Sequence, residues 1–170
     1  MAADEYLELA MTAIHEAGHA VCDVLHGIKV WKVTIQPNGE CLNSRFGFRL
    51  IRRKYFRAEV RSCCAGYIAE SLFYPEDSEI EGAEDDFKQA ERLLRQFHPD
   101  QDITNEFCAV YEETADLLSR ADVKTAIWFV AATLLKHTTI TGKRVMTIVS
   151  ACVGSTHALQ PQLTTKEIRI

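Results

Sequence analysis

Residues 15–19 read His-Glu-Ala-Gly-His inside an otherwise apolar run, with Ile14, Ala17, Ala20, Val21, Val24 and Leu25 around them. Those apolar positions recur at helical spacing, so the segment reads as a helix that must be buried. Two imidazoles and a carboxylate on such a helix constrain the fold strongly, because polar groups in apolar surroundings need a partner. Histidines four residues apart lie on one helix face, one turn displaced. Both can therefore reach a single metal ion. The glutamate between them falls near the open coordination position, where it can take a proton from water. The plainer reading, two solvated histidines on an exposed amphipathic helix, does not account for the apolar flanks. A catalytic zinc needs three protein ligands, so the rest of the chain must bring one more to this helix.

At 170 residues, 47% apolar and 25% charged, the chain is long enough for one domain with a sizeable core. Its net charge of −5 argues against a nucleic-acid partner recognised through a broad basic field. No run reaches the roughly 18–20 apolar residues that a membrane span requires. Met1 to Leu9 is acidic and lacks a basic leader region, so no signal peptide is expected there. Cys22, Cys41, Cys63, Cys64, Cys108 and Cys152 show no CxxC spacing, and reduced thiols in the cytoplasm are expected.

Periodicity predicts a helix over 4–27, with Asp4 as its N-cap and Gly27 as its stop. A strand is expected over 28–36, where Val30, Val33 and Ile35 alternate in part, ending at the Pro37-Asn38-Gly39 turn. A second strand is expected over 45–51, pairing with the first. Helices are expected over 54–74, closed by Pro75, and over 83–97 after an acidic loop. The last third reads as helices over 103–120 and 122–137, with Asp122 as an N-cap, and a short helix opened by Thr141-Gly142. The expected fold is mainly α with a small antiparallel β-sheet. Residues 1–153 are expected to form one domain, with 154–170 expected as a loosely ordered C-terminal extension.

Spacing alone leaves the third ligand open. The extended metzincin motif needs a glycine and a histidine where Cys22 and Leu25 stand, so that class is excluded. A glutamate on a later helix would make Glu59 or Glu70 the ligand. Asp85 and Asp86, at a helix N-terminus, are equally placed to ligate or to cap.

Several segments share a family pattern in the right order. Residues 12–21 read TAIHEAGHAV, residues 30–37 VWKVTIQP, residues 64–70 CAGYIAE and residues 82–90 GAEDDFKQA; residues 134–142 read LLKHTTITG. Together they resemble the peptidase domain of the FtsH/AAA-type zinc metalloproteases over about residues 10–150. The resemblance implies a helical zincin domain that holds Zn2+ through His15, His19 and Asp86, with Glu16 as the catalytic base. Glu70 and Asp85 are then candidates for groups that support the ligands from behind. Tyr67 departs from the family's arginine, and the 170 residues contain no GxxxxGK[ST] phosphate loop.

The function implied is a zinc metalloendopeptidase acting on flexible or unfolded polypeptides without its own ATPase module, or with an ATPase in trans. The alternative is a catalytically silent zinc-binding or regulatory module that pairs with a larger protease or a partner ATPase.

Overall fold

The computed structural model describes residues 3–36, 40–43, 55–78, 83–99 and 102–154. Its elements run α1 (Ala3–Leu25), β1 (Val30–Thr34), β2 (Glu40–Asn43), α2 (Phe56–Phe73), α3 (Glu84–Phe97), α4 (Thr104–Ser119), α5 (Ala121–His137), β3 (Thr139–Thr141) and α6 (Gly142–Val153). The mainly helical expectation with a small antiparallel sheet holds. The expected strand at 45–51 and the extension after Gly154 lie outside the described residues.

Helix α1 is the spine. Ala13, Ala17, Ala20, Val21 and Cys22 are all fully buried, because α2 crosses one side while α5, α6 and β1 cover the rest. Its end is set locally. Gly27 takes φ 72°, Ile28 N–H donates to the Asp23 carbonyl (2.8 Å) and Gly27 N–H donates to that of Val24 (3.1 Å). That pair of bonds is a Schellman stop, which satisfies the last carbonyls and turns the chain toward β1. Asp4, expected as the N-cap, falls inside the first turn instead.

The α1–α2 crossing is close because small residues meet there. A Cβ on Gly18 would lie 2.5 Å from the Ala65 carbonyl oxygen and 2.6 Å from Ala69 Cβ. Both obstacles are rigid, so only glycine permits this approach within the His-Glu-Ala-Gly-His segment.

The sheet has the order β2-β1-β3, both pairings antiparallel. Val33 faces Ile140 and Cys41 across the two ladders. The register shifts between Val30 and Lys32, and this irregularity explains the partial alternation in the sequence. Without it, Val30 and Val33 could not both face inward, three residues apart; both are buried while Trp31 and Lys32 are exposed. The third strand was not expected. It is three residues long, and its position is set by Thr138, which takes φ 62° after α5. The Thr138 carbonyl accepts from Ile35 N–H (3.0 Å), and Thr34 Oγ1 lies 2.7 Å from Thr139 Oγ1.

Helix α3 is amphipathic, burying Ala90, Leu93 and Leu94. Aromatic contacts hold both its ends. Phe87 meets Tyr67 of α2 (5.4 Å between centroids) and Phe107 of α4 (5.9 Å), while Phe97 stacks on Phe56 (4.8 Å). Two such anchors on different turns determine which face of α3 looks toward α1. Helix α4 is tied to α2 by Arg57 and Arg61, both paired with Glu113. These exposed pairs contribute little to stability individually.

Helix α5 begins one residue before its expected start. Arg120 is the N-cap, and Asp122 sits in the first turn, where its carboxylate accepts from Val123 N–H (3.0 Å) and pairs with Arg120 (2.6 Å). The carboxylate still complements the helix dipole, but from inside the helix. Among the described residues no helix is long and apolar enough to cross a membrane. Among the described cysteines, Cys22, Cys63 and Cys64 are buried, Cys108 is exposed and Cys152 is partly buried, and none is in a disulfide.

Candidate metal centre

Three side chains from two helices converge beside the α1–α2 crossing. His15 and His19 come from α1 and Asp86 from the first turn of α3. His15 Nε2 lies 2.9 Å from His19 Nε2, and Asp86 Oδ2 lies 3.2 and 3.1 Å from the two nitrogens. A tetrahedral zinc with bonds of about 2.1 Å places its ligand atoms about 3.4 Å apart, so this triangle is of the right size.

The protonation pattern tests whether the triangle suits a cation. His19 Nδ1 lies 2.6 Å from the Ser62 backbone carbonyl, an oxygen that can only accept. Nδ1 therefore carries the hydrogen. His15 Nδ1 donates in the same way to Glu70 Oε1 at 2.7 Å. In a neutral imidazole one nitrogen is the donor and the other is bare. Both Nε2 atoms then present lone pairs to each other and to a carboxylate oxygen. Three electron-rich atoms at 2.9–3.2 Å, with their hydrogens used elsewhere, fit a divalent cation.

Electrostatics without a metal carry the same message. Burial alone would lower the pKa of His15, but hydrogen bonds to Asp86 and Glu70 and the nearby charges of Glu70 and Glu16 overcome it. The result is a rise from 6.5 to about 10. Burial would raise the pKa of Asp86, yet the charge of His19 and hydrogen bonds from both histidines hold it below the usual carboxylate range. The cluster is built around positive charge, and a proton takes that place in the bare protein.

The sequence-level candidates separate by position. Glu16 is buried at 7% exposure on α1 and close enough to act electrostatically on His15. Glu70, on α2, is hydrogen-bonded to His15 rather than part of the triangle. Glu59 is buried about three turns earlier on α2 and does not join the cluster. Asp85 does not reach the site at all. Its side chain is fully exposed, with its oxygen 3.6 Å from Lys88 Nζ. Successive helical residues point about 100° apart, so when Asp86 faces α1 its neighbour faces solvent. His26 is turned onto its own helix, with Nδ1 2.8 Å from the Cys22 carbonyl. The Ser62 carbonyl was not foreseen, because a backbone acceptor leaves no trace in residue type.

Residues 5–98, which hold α1 from its third residue on, α2, α3 and every member of this cluster, match peptidase family M41. Curated relatives include ATP-dependent zinc metalloprotease FtsH 3 of Phytoplasma mali, 37% identical over 99 residues, 52% of this chain and 16% of that protein. The FtsH of Metamycoplasma arthritidis is 33% identical over 120 residues, 64% of this chain and 16% of that protein. The FtsH of Thermus thermophilus is 36% identical over 118 residues, 61% of this chain and 18% of that protein. The chain thus spans less than a fifth of the length of these relatives. The family match covers more than half of the chain, includes both histidines and the aspartate, and agrees with the fold: this chain belongs to peptidase family M41 and is a relative of the FtsH peptidase domain.

Proposed function

We propose that this chain is a zinc-dependent metalloendopeptidase, with His15, His19 and Asp86 as the zinc ligands. The observation that carries this reading is the convergence of two Nε2 atoms and one carboxylate oxygen, with each ring's Nδ1 facing an acceptor that leaves Nε2 bare in the neutral imidazole. A bound zinc supplies Lewis acidity, polarising the scissile carbonyl and acidifying the attacking water. Glu16 accepts the water proton and returns it to the leaving amine. Glu70 and the Ser62 carbonyl hold the imidazoles in the tautomer and orientation that ligation requires. The named activity of the FtsH relatives, zinc-dependent and ATP-dependent proteolysis, supports this assignment.

Substrates in this reading are polypeptides already flexible or unfolded. The 170 residues contain no phosphate-loop motif, so folded substrates would need an ATPase that lies outside these residues. The test is cleavage of an unstructured protein such as casein by the purified chain. Activity should disappear with a zinc chelator and return with added zinc. Cleavage that persists in chelator would sink the metal mechanism.

The Glu70 role has its own test. Glu70→Gln keeps the shape but weakens the acceptor facing His15 Nδ1, and zinc affinity should fall by about 10- to 100-fold. Competition against a chromophoric chelator measures this. Unchanged affinity would remove Glu70 from the site.

A further inference from the structure

We propose that one stripe of helix α2 is the template of the metal centre, and that Gly66 is its key positioning residue. Ser62, Gly66 and Glu70 are spaced four apart and share one face of α2, as His15 and His19 do on α1. The outer two hold the histidines, the Ser62 carbonyl at His19 Nδ1 and the Glu70 carboxylate at His15 Nδ1. Gly66 between them supplies space. A Cβ built there would overlap His15 Nε2, and would lie 2.5 Å from His19 Nε2 and 2.6 Å from His15 Cε1. Non-bonded carbon atoms favour about 3.5–4.0 Å, so even a methyl group must displace both rings or push the helices apart.

No conformational need explains glycine at this position. Gly66 lies inside a regular helix and is not among the positive-φ residues, and glycine is a poor helix former. The rings cannot yield by rotating, because rotation would break the two Nδ1 hydrogen bonds. Gly66 therefore lets the Nε2 edges of both imidazoles approach α2 while the same atoms face Asp86.

This inference rests on the metal reading above, and its test separates the two. Zinc affinity is measured for the 170-residue chain and for Gly66→Ala by chelator competition. Urea midpoints of the metal-free proteins are compared in two backgrounds, one with both histidines and one carrying His15→Ala and His19→Ala. Zinc affinity should fall at least about tenfold in Gly66→Ala. The midpoint should drop only where the histidines are present, and should recover or rise once they are removed. A Gly66→Ala chain too unstable to purify should become foldable in the histidine-free background. Unchanged zinc affinity would overturn the proposal, as would an equal penalty in both backgrounds, which would mark Gly66 as ordinary helix packing. Should the unsubstituted chain bind no zinc, the metal reading falls, while the midpoint comparison still decides the role of Gly66.

Discussion

Glu16→Gln is expected to leave zinc bound at full stoichiometry while cleavage of an unfolded protein falls by about 10²- to 10⁴-fold. The substitution preserves volume and most hydrogen-bonding capacity at a position that is 7% exposed, so the helix and its histidines should stay in place. What it removes is a basic oxygen able to take a proton. Glu16 acts electrostatically on His15, so the loss of its charge should also lower the proton affinity of the metal-free cluster. The same loss weakens the attraction for a dication, but the three ligand atoms are untouched, so zinc should stay bound at stoichiometric concentration. Zinc is quantified by elemental analysis, and turnover by release of fluorescent peptides from labelled casein. Retained turnover would remove Glu16 from the chemistry. Stoichiometric zinc with no turnover even in the unsubstituted chain would favour a silent binding module instead.

Asp86→Asn is the second large effect. The neutral amide cannot balance the charge of a divalent ion, and zinc affinity should fall by at least about 100-fold, with activity lost alongside it. The neighbouring Asp85→Asn is the matched control. Both aspartates lie in the first turn of α3, so either change removes a similar favourable interaction with the helix dipole, about 0.3–1 kcal/mol. Only one of them faces the histidines; the other is fully exposed. Zinc affinity after Asp85→Asn should therefore match that of the unsubstituted chain. Equal losses in both variants would mean that the acidic helix start acts through its field alone. A loss confined to Asp85→Asn would move the ligand.

That control marks where sequence reading stopped. Spacing could not choose between Asp85 and Asp86, nor set Glu59 and Glu70 aside. The resemblance of residues 82–90 to the FtsH peptidase pattern pointed to Asp86, and the rotation of α3 on its aromatic anchors brings that side chain beside the two histidines. Helix α1 was legible nearly to the residue, since apolar periodicity and a positive-φ glycine are both local signals. The strand at 30–34 was legible for the same reason, although its out-of-phase Val30 made sense only with a register shift against β2. Strand β3 was not legible. Three residues carry no period, and their pairing with β1 joins positions more than 100 apart in the chain. The N-cap expected of Asp122 failed by two residues, because a carboxylate can serve a helix start from within its first turn.

The sequence by itself determined the chemistry available. Two histidines and a glutamate at helical spacing in an apolar run specify a buried helix that presents two imidazoles to one point. Local periodicity is enough for that, because side chains four apart share a face wherever the helix lies. The tertiary structure decided which carboxylate completes the triangle, which one only supports a histidine, and which nitrogen of each ring is bare. Those outcomes depend on the crossing of α1 with α2 and on the rotation of α3. A backbone carbonyl at Ser62 and the lack of a side chain at Gly66 contribute as much to them as any side chain.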